Sequence, residues 1–408
     1  MKKYFLAVAS FFIYSHISLG QVYPGQMDST FVPVRSHHYD PELTFDFCVN
    51  EPAWNNQAGI HSAFGSTDRL YFRKEVPVNH NNDLSSSYST TVWRGERANA
   101  QILVWSSEAL EQVRVSTQDL RSAEGNIIPK DRITFELVRY VLSNYPYAEK
   151  KAICGESPYK SGFLMPDRFE TLDRFDLPSQ TTRPVWMMVD VPRGTVPGTY
   201  KGQVEVRAKG KAPQLLNLEI VVQNQLLPYP KDWKYRLDLW QNPWAVAWYN
   251  HVEPWSPEHK MLLKQHLKHY ADAGGTYITT YGVHSPWSDN SYMIEGGMIE
   301  WIKKADGTWA FDYKIFDEYV ELAMECGIDE AITLYTPIPW GFRHRYKDEA
   351  TGDYSYINWA PSSEEFKKMW NIFLTDFKFH LEAKSWLDIT YIGINENPME
   401  ETLAAINV

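Results

Sequence analysis

The segment Asp388-Ile-Thr-Tyr-Ile-Gly-Ile-Asn-Glu-Asn-Pro-Met-Glu-Glu-Thr402 joins a compact apolar run to a polar turn and an acidic helix start. Residues 389–394 have the composition expected of a parallel strand that is buried on both faces. Pro398 ends the run, because proline lacks an amide hydrogen and restricts the residue before it. The acidic residues that follow predict a helix beginning near Met399. Asn395 and Glu396 are therefore expected where a strand gives way to a helix.

An acid at such a position has two interpretations. In barrels of alternating strands and helices, the catalytic groups lie on the rim formed by the carboxyl ends of the strands. Asparagine and glutamate at strand-to-helix junctions also serve only to cap helices, with no chemistry. The segment alone leaves both open, and the surrounding chain has to decide between them.

The beginning of the chain has the pattern of an export signal. Lys2 and Lys3 precede an apolar run that reaches about Ile17, and small residues stand near a cleavage site after Gly20. The apolar run is too short to span a membrane. We expect residues 1–20 to be removed as a signal peptide, which places the protein in the periplasm or outside the cell.

Composition excludes several kinds of partner. The formal net charge is −11, which argues against nucleic acid, because phosphate binding needs a basic surface. The three cysteines, Cys48, Cys154 and Cys326, form neither a disulfide framework nor a metal-ligand spacing. We expect no metal and no other cofactor. The 16 tryptophans and 25 tyrosines offer apolar faces that suit sugar rings, although most are expected to be core.

Two different patterns divide the chain into domains. Residues 21–230 contain short alternating or apolar runs separated by glycine, proline, serine and asparagine, which is typical of an antiparallel β-sandwich. From residue 231 to 408 apolar strands alternate with amphipathic helices, which predicts a parallel sheet with right-handed crossovers. The predicted strands are residues 234–240, 277–283, 330–334 and 389–394. Asp306-Gly307 predicts an inserted hairpin, and residues 335–360 are predicted to form a loop.

The second domain is shorter than a complete barrel. A (β/α)8 TIM barrel takes about 250 residues and at least about 200, whereas only four strands are predicted here. The expected fold class is therefore a multidomain β and α/β protein, with an N-terminal β-sandwich followed by the first half of a TIM barrel. We expect the chain to be a fragment in which about four β/α units are present.

Several motifs together resemble those of glycoside hydrolase family 123. In chain order they are Trp93-Arg-Gly-Glu-Arg-Ala-Asn-Ala-Gln101, Asp238-Leu-Trp-Gln-Asn-Pro243, Asp306-Gly-Thr-Trp309 with Phe311-Asp-Tyr313, Lys384-Ser-Trp386 and Asn395-Glu-Asn-Pro-Met-Glu400. The resemblance implies a β-sandwich followed by a barrel. It also implies an exo-acting β-N-acetylgalactosaminidase that retains anomeric configuration through the acetamido group of its own substrate.

The resemblance assigns roles to two adjacent residues. The fourth strand of the family ends in an Asp-Glu pair, and Glu396 matches the glutamate that protonates the leaving oxygen and then activates water. Asn395 stands where the family has the aspartate that orients the acetamido group and stabilises its developing charge. Asparagine can accept a hydrogen bond from an acetamide N–H, but it carries no negative charge. Asn397 stands where the family commonly has arginine.

Two alternatives account for the departure at residue 395. One is a retaining glycosidase of the two-glutamate clan, in which an Asn-Glu pair is the usual acid/base signature and the nucleophile lies on a later strand. The other is a carbohydrate-binding relative that has kept the scaffold and lost the chemistry. The Asn-Glu pair fits the first alternative better than it fits family 123, whereas the rest of the chain fits that alternative less well. The loss of the aspartate supports the second alternative.

Other polar and aromatic residues are expected on the rim where barrel loops meet substrate. Core packing is the alternative for each aromatic side chain. Arg343-His344-Arg345 has two interpretations, a site for an anionic sugar and a solvated loop. The candidate substrate-binding residues are Trp240, Asn242, Tyr281, His284, Trp287, Tyr335 and Trp340.

Overall fold

The structure is a computed structural model that describes residues 51–79, 84–143, 163–171, 173–286 and 296–407. The predicted signal peptide, Cys48, Cys154 and Trp287 lie outside the described residues. The described chain forms two compact units, and the division falls between Leu227 and Pro228. The architecture is multidomain and rich in β-strands, as the sequence predicts.

The N-terminal unit contains two sheets. The first sheet has the order β1-β3-β10-β7-β8, and the second has the order β2-β12-β11-β4-β9 with the short strands β5 and β6 at its side. The neighbouring strands are antiparallel except for β2 and β12, which are parallel. The strands are β1 His61–Gly65, β2 Ser87–Arg94, β3 Arg97–Ser106, β4 Leu110–Thr117, β5 Leu120–Arg121, β6 Ile127–Ile128, β7 Ile133–Ser143, β8 Phe163–Thr171, β9 Phe175–Leu177, β10 Thr181–Asp190, β11 Gly198–Arg207 and β12 Gln214–Leu226.

One apolar core is shared by these two sheets. Ile102 and Val185 of the first sheet belong to the same buried cluster as Val204 and Ile220 of the second. Strand β11 shows why the sequence folds this way, since its buried and exposed residues largely alternate along the strand. Burial of one face of each sheet is the main stabilising contribution in this unit.

The C-terminal unit is built around three parallel strands in the order β13-β16-β19. Helix α3 connects the first pair and helix α4 the second, so the order along the chain is the order in the sheet. The elements are α1 Pro243–Asn250, α2 Pro257–Asp272, β13 Tyr277–Tyr281, β14 Glu300–Lys303, β15 Trp309–Asp312, α3 Lys314–Glu325, β16 Ala331–Tyr335, β17 Arg343–Asp348, β18 Tyr354–Asn358, α4 Glu364–Lys384, β19 Thr390–Gly393 and α5 Met399–Ile406.

The first predicted barrel strand, residues 234–240, is wrong as a regular strand. Only Leu237 of this run is paired, through an isolated parallel bridge to Gly275, which precedes β13. Tyr235, Leu239 and Trp240 are exposed, so this run lacks the burial on both faces that stabilises a parallel strand. The other three predicted strands are present with shorter or shifted ends, and the described residues form no closed barrel. The prediction that residues 389–394 are buried on both faces is wrong, since Tyr391 and Ile392 of β19 are exposed.

The predicted hairpin is part of a larger inserted sheet. Strands β14 and β15 pair around Gly307, whose φ of 84° lies in the region that glycine adopts most readily. Strands β17 and β18 extend this sheet to the order β15-β14-β17-β18. The prediction that residues 335–360 are only a loop is therefore wrong, since they contain two paired strands.

Helix boundaries follow local capping. Ser256 caps α2 by accepting a hydrogen bond from the His259 N–H, and Ser363 caps α4 by accepting one from the Phe366 N–H. One face of α4, which includes Phe366, Trp370 and Phe373, is buried, and Cys326 is buried at the end of α3. No helix in the described ranges is both long and apolar enough to cross a membrane.

Candidate active site

The carboxyl ends of the three parallel strands meet at one edge of the sheet. The register aligns Tyr281 at the end of β13 with Tyr335 at the end of β16, and Tyr335 with Gly393 at the end of β19. Side chains alternate along a strand, so Asn395, two residues beyond Gly393, is expected on the same face as Tyr335. The sheet register thus places the segment that carries Asn395 and Glu396 at the same edge of the sheet as Tyr281 and Tyr335.

Asn395 is fixed by two hydrogen bonds to its side-chain oxygen. The Tyr335 hydroxyl donates to Asn395 Oδ1 at 2.6 Å, and the Glu396 backbone N–H donates to the same oxygen at 2.8 Å. A backbone N–H can only donate, so the acceptor must be the oxygen of the carboxamide and not its nitrogen. Both lone pairs of Oδ1 are therefore occupied, and Tyr335 and Asn395 are themselves buried.

The amide nitrogen of Asn395 has no partner among the residues that the structure describes. Asn395 Nδ2 is buried and donates to no acceptor there. A buried donor without an acceptor costs roughly 1–3 kcal/mol. The site therefore presents a fixed N–H donor, oriented by the two bonds to the neighbouring oxygen.

The loop after β19 is tied to the loop after β16. Asn397 Nδ2 donates to the Ile338 carbonyl at 3.0 Å, and the Asn397 backbone N–H donates to the Asn395 carbonyl at 2.8 Å. Glu396 lies between these two anchored asparagines, and its side chain is exposed. Solvent and ligand can therefore reach a carboxylate whose backbone is held on both sides.

Two of the predicted aromatic residues lie at this edge. The Trp240 ring contacts the Tyr335 ring with centroids 4.9 Å apart, and Trp240 is about half exposed. Tyr281 is fully buried, and its hydroxyl donates to the Gln241 carbonyl at 2.6 Å. Trp240 thus offers an accessible face beside Tyr335, the residue that binds Asn395, whereas Tyr281 supports the segment that carries Trp240.

The remaining predicted residues have other surroundings. Asn242 caps α1, where its side chain accepts a hydrogen bond from the Ala245 N–H at 3.3 Å. The backbone N–H of Trp340 donates to the Pro286 carbonyl at 3.1 Å. His284 lines a separate cavity, and burial, followed by repulsion from Arg345 and Arg343, lowers its pKa to about 3. Its imidazole is therefore neutral near pH 7.

Arg343, His344 and Arg345 are ordered strand residues, so their interpretation as a solvated loop is wrong. Arg343 lies 3.7 Å over the Tyr356 ring, and Arg345 lies 4.2 Å over the Tyr354 ring. Both arginines lie on one face of β17, while His344 is buried on the other. Each of the two guanidinium groups is stabilised by a cation–π contact with a tyrosine ring of β18.

Asp238 is a residue of this face to which the sequence assigned no role. Its two side-chain oxygens accept hydrogen bonds from the hydroxyls of Thr279 at 2.9 Å and Thr333 at 3.4 Å. These threonines lie two residues before Tyr281 and Tyr335, on the same face of the sheet. The sequence signal that could have identified Asp238 is its place in the motif Asp238-Leu-Trp-Gln-Asn-Pro243. The described ranges contain no group of side chains that could hold a metal ion.

The comparisons with known proteins identify the family. The glycoside hydrolase 123 catalytic domain matches residues 240–408, and the glycoside hydrolase 123 N-terminal domain matches residues 64–208. The chain belongs to glycoside hydrolase family 123. No curated protein matches it.

One solved structure is similar over most of the chain. It is a family 123 glycoside hydrolase from Clostridium perfringens, described in terms of glycolipid glycan hydrolysis, with 26% identity and a TM-score of 0.76. The alignment covers 86% of this chain and 60% of that chain, so this family 123 chain spans less than two thirds of the length of its relative.

Other solved structures are much less similar. A GH5 xyloglucanase from Bacteroides ovatus aligns with a TM-score of 0.20 and 10% identity, over 79% of this chain and 58% of that chain. The periplasmic chaperone SfaE aligns with a TM-score of 0.19 and 11% identity, over 36% of this chain and 59% of that chain. Similarities at this level carry no argument about the present protein.

Proposed function

We propose that this family 123 protein is a glycoside hydrolase that removes β-linked N-acetylhexosamine of the galactosamine type from glycans. The observation that carries the proposal is the exposed Glu396 carboxylate, which lies between two anchored asparagines, the first of them bonded to Tyr335, whose ring contacts the half-exposed Trp240. An acid on a fixed backbone beside an aromatic face suits cleavage of a glycosidic bond.

Glu396 is proposed to act first as general acid and then as general base. In the first step it protonates the glycosidic oxygen as the bond to the anomeric carbon breaks. The acetamido oxygen of the substrate attacks the same carbon, which gives an oxazolinium intermediate and retains configuration overall after water adds. Glu396 then takes the proton from that water, so one residue serves both halves of the reaction.

Asn395 is proposed to orient the acetamido group less effectively than an aspartate would. Both lone pairs of its Oδ1 are already used by Tyr335 and by the Glu396 N–H, so it has no free acceptor for the acetamide N–H. Its free group is the Nδ2 donor, which can bind the acetamido carbonyl oxygen. A neutral donor does not offset the positive charge of an oxazolinium, so substrate assistance is expected to be slower here.

The same free donor favours a second candidate function. In a retaining glycosidase with two glutamates, Asn395 Nδ2 would donate to a hydroxyl oxygen on the sugar ring, and Glu396 would again be the acid/base. That mechanism needs a second carboxylate as nucleophile, contributed by a further strand. It places no demand on Asn395 as an acceptor, which agrees with the observed hydrogen bonds.

The fold and location in this proposal follow the sequence predictions. The two N-terminal sheets would form a β-sandwich, and β13, β16 and β19 would be consecutive strands of a (β/α)8 barrel. The sequential parallel order and the helical crossovers α3 and α4 support the barrel. Export through a signal peptide at residues 1–20 to the periplasm or exterior belongs to the same proposal.

Turnover of three aryl glycosides by the full-length protein tests the proposal. The substrates are the 4-nitrophenyl β-glycosides of N-acetylgalactosamine, N-acetylglucosamine and galactose, and Glu396→Gln is the inactive control. Turnover of the N-acetylgalactosaminide alone supports the first candidate, turnover of the N-acetylglucosaminide would contradict its galactosamine specificity, and turnover of the galactoside supports the second candidate. If none of the three is cleaved although the sugars bind, the protein is a carbohydrate-binding relative and the enzymatic proposal is wrong.

A further inference from the structure

A cavity of about 280 Å³ lies in the C-terminal unit and has a lining distinct from Tyr335, Asn395 and Glu396. Its size is near the lower end of small-molecule pockets, which begin at about 300 Å³. Six of its lining residues bear on its chemistry, three tryptophans and three ionisable residues: Trp244, Trp248, Trp255, His284, Glu300 and Arg345.

The aromatic wall of this cavity is closely packed. Trp244 and Trp255 meet edge to face with ring centroids 5.4 Å apart. A Cβ at Gly296 would lie 2.2 Å from the Trp244 indole, so only glycine lets this part of the chain approach the ring. The wall is therefore formed by specific close packing, and it presents aromatic edges and faces to the cavity.

Two residues that line the cavity each carry a buried N–H donor with no acceptor in the described part of the chain. The two donors are Trp255 Nε1 and Arg345 Nε. A buried donor left without an acceptor is unfavourable by roughly 1–3 kcal/mol. Trp255 also has a φ of 65°, a backbone conformation that is rare for a bulky residue.

The charged groups at the cavity offset one another. Arg345 forms an ion pair with Glu300 at 3.7 Å, and the Tyr354 hydroxyl donates to Glu300 at 3.1 Å. His284 is uncharged near pH 7 because burial lowers its pKa to about 3. The lining therefore offers two free donors and one carboxylate acceptor with little net charge, which suits a neutral polar ligand better than an anion.

We propose that this cavity is a second saccharide subsite, which holds one pyranose ring of a neutral glycan. Ring or acetamido oxygens accept hydrogen bonds from Trp255 Nε1 and Arg345 Nε, a hydroxyl donates to Glu300, and the ring packs on the tryptophans. That the ligand is a sugar rests on the proposed function, whereas the existence of a binding site rests on the cavity and its two free donors.

Fluorine NMR of the full chain labelled with 5-fluorotryptophan tests the proposal at the level of single residues. The Glu396→Gln background prevents turnover, and single Trp→Phe variants assign the resonances of Trp240, Trp248 and Trp255. The probes are methyl β-N-acetylgalactosaminide and methyl β-galactoside, with sodium sulfate as the anionic probe. We expect saturable shifts of the Trp248 and Trp255 resonances with at least one sugar and none with sulfate.

The Trp240 resonance reports the candidate active site independently. Shifts at Trp240 without shifts at Trp248 and Trp255 would overturn the second subsite and leave the proposed function intact. Shifts at Trp248 and Trp255 without a shift at Trp240 would support the subsite and count against the proposed function. A response to sulfate alone would show an anion site and contradict the assignment to a neutral saccharide.

Conservative variants test the two donors. Trp255→Phe removes one N–H and keeps an aromatic ring, so sugar binding reported by Trp248 should weaken roughly fivefold to tenfold. Arg345→Lys keeps the charge without Nε and provides the same test if Trp255→Phe does not fold. Trp233→Phe is the matched control, because it removes an indole N–H that donates to the Pro228 carbonyl. Unchanged affinity in both donor variants would overturn the proposal.

Discussion

The Tyr335 hydroxyl lies 2.6 Å from Asn395 Oδ1, and this contact joins the ends of two neighbouring parallel strands. It occupies one lone pair of the carboxamide oxygen, while the Glu396 N–H occupies the other. The side chain that precedes the candidate acid is therefore held in one orientation, with its amide nitrogen free. This arrangement makes Tyr335 a positioning residue for Asn395, and through it for Glu396.

Tyr335→Phe should lower activity more than stability alone explains. Losing the hydroxyl leaves Asn395 held only by the Glu396 N–H, so its side chain can rotate away from the productive orientation. We expect kcat to fall roughly tenfold and the free energy of unfolding to fall by about 1–2 kcal/mol. Kinetics with an aryl glycoside and thermal denaturation measure the two effects.

Tyr281→Phe is the matched control for this variant. Its hydroxyl is also buried in the sheet but donates to the Gln241 backbone carbonyl. We expect a similar loss of stability with a smaller change in kcat. Equal losses of kcat in the two variants would show that Tyr335 acts only by stabilising the sheet.

Glu396→Gln should remove the general acid and base while keeping the shape of the side chain. We expect kcat to fall by about 10²–10⁴ with a 4-nitrophenyl substrate. A 2,4-dinitrophenyl leaving group needs less protonation, so the variant should lose less rate in its cleavage step. Glu400→Gln changes an exposed acid in the first turn of α5 and should leave both rates nearly unchanged. Comparable losses at both positions would contradict the role of Glu396.

The position of Asn395 and Glu396 between a strand and a helix could be predicted from sequence, because the residues that indicate the strand end and the helix start are close together in the chain. The apolar run, Pro398 and the acidic helix start are adjacent in the chain, and the structure has a strand at Thr390–Gly393 and a helix from Met399. The partner of Asn395 could not be predicted in the same way. Tyr335 is 60 residues earlier, and only the register of β16 and β19 brings the two together.

The errors in the predicted fold have physical causes. Residues 234–240 alternate charged and apolar side chains, a pattern that a strand can have, but only Leu237 pairs with another segment, through its bridge to Gly275. Strands β17 and β18 were missed because charged and tyrosine residues interrupt the apolar pattern. In the structure Arg343 of β17 stacks on Tyr356 of β18, and Arg345 stacks on Tyr354. These contacts form only because the two strands pair, and the pairing cannot be seen in either strand's own sequence.

The buried His344 should make the stability of the protein depend on pH. Its Nε2 accepts a hydrogen bond from the Trp370 indole at 3.3 Å, and its Nδ1 lies 3.1 Å from the Phe342 carbonyl, which fits a neutral ring. Burial lowers its pKa to about 4, against an ordinary value of 6.5. Between these values the unfolded chain binds a proton that the folded chain does not, so stability falls as pH falls.

His344→Gln should weaken this dependence. Glutamine can both donate and accept but does not titrate. At pH 5, proton binding to His344 in the unfolded chain lowers the free energy of unfolding by roughly 2 kcal/mol relative to neutral pH. The variant should not show this decrease. Because burial also lowers the pKa of His259 and His284, some dependence remains. Denaturation at pH 5 and 7.5 measures the change, and an unchanged dependence in His344→Gln would contradict the role of this histidine.

Asn395→Asp tests the mechanism most directly. The carboxylate can keep both hydrogen bonds at one oxygen, and it places an acceptor with negative charge where Asn395 has its free N–H. If the substrate acetamido group is the nucleophile, kcat on N-acetylgalactosaminide should rise roughly tenfold, because charge on the oxazolinium is offset. Asn397→Asp makes the same chemical change but only breaks the bond to the Ile338 carbonyl, so it should give no gain. A fall in both N-acetylgalactosaminide and galactoside turnover in Asn395→Asp would instead favour the two-glutamate mechanism, in which the amide donor is needed.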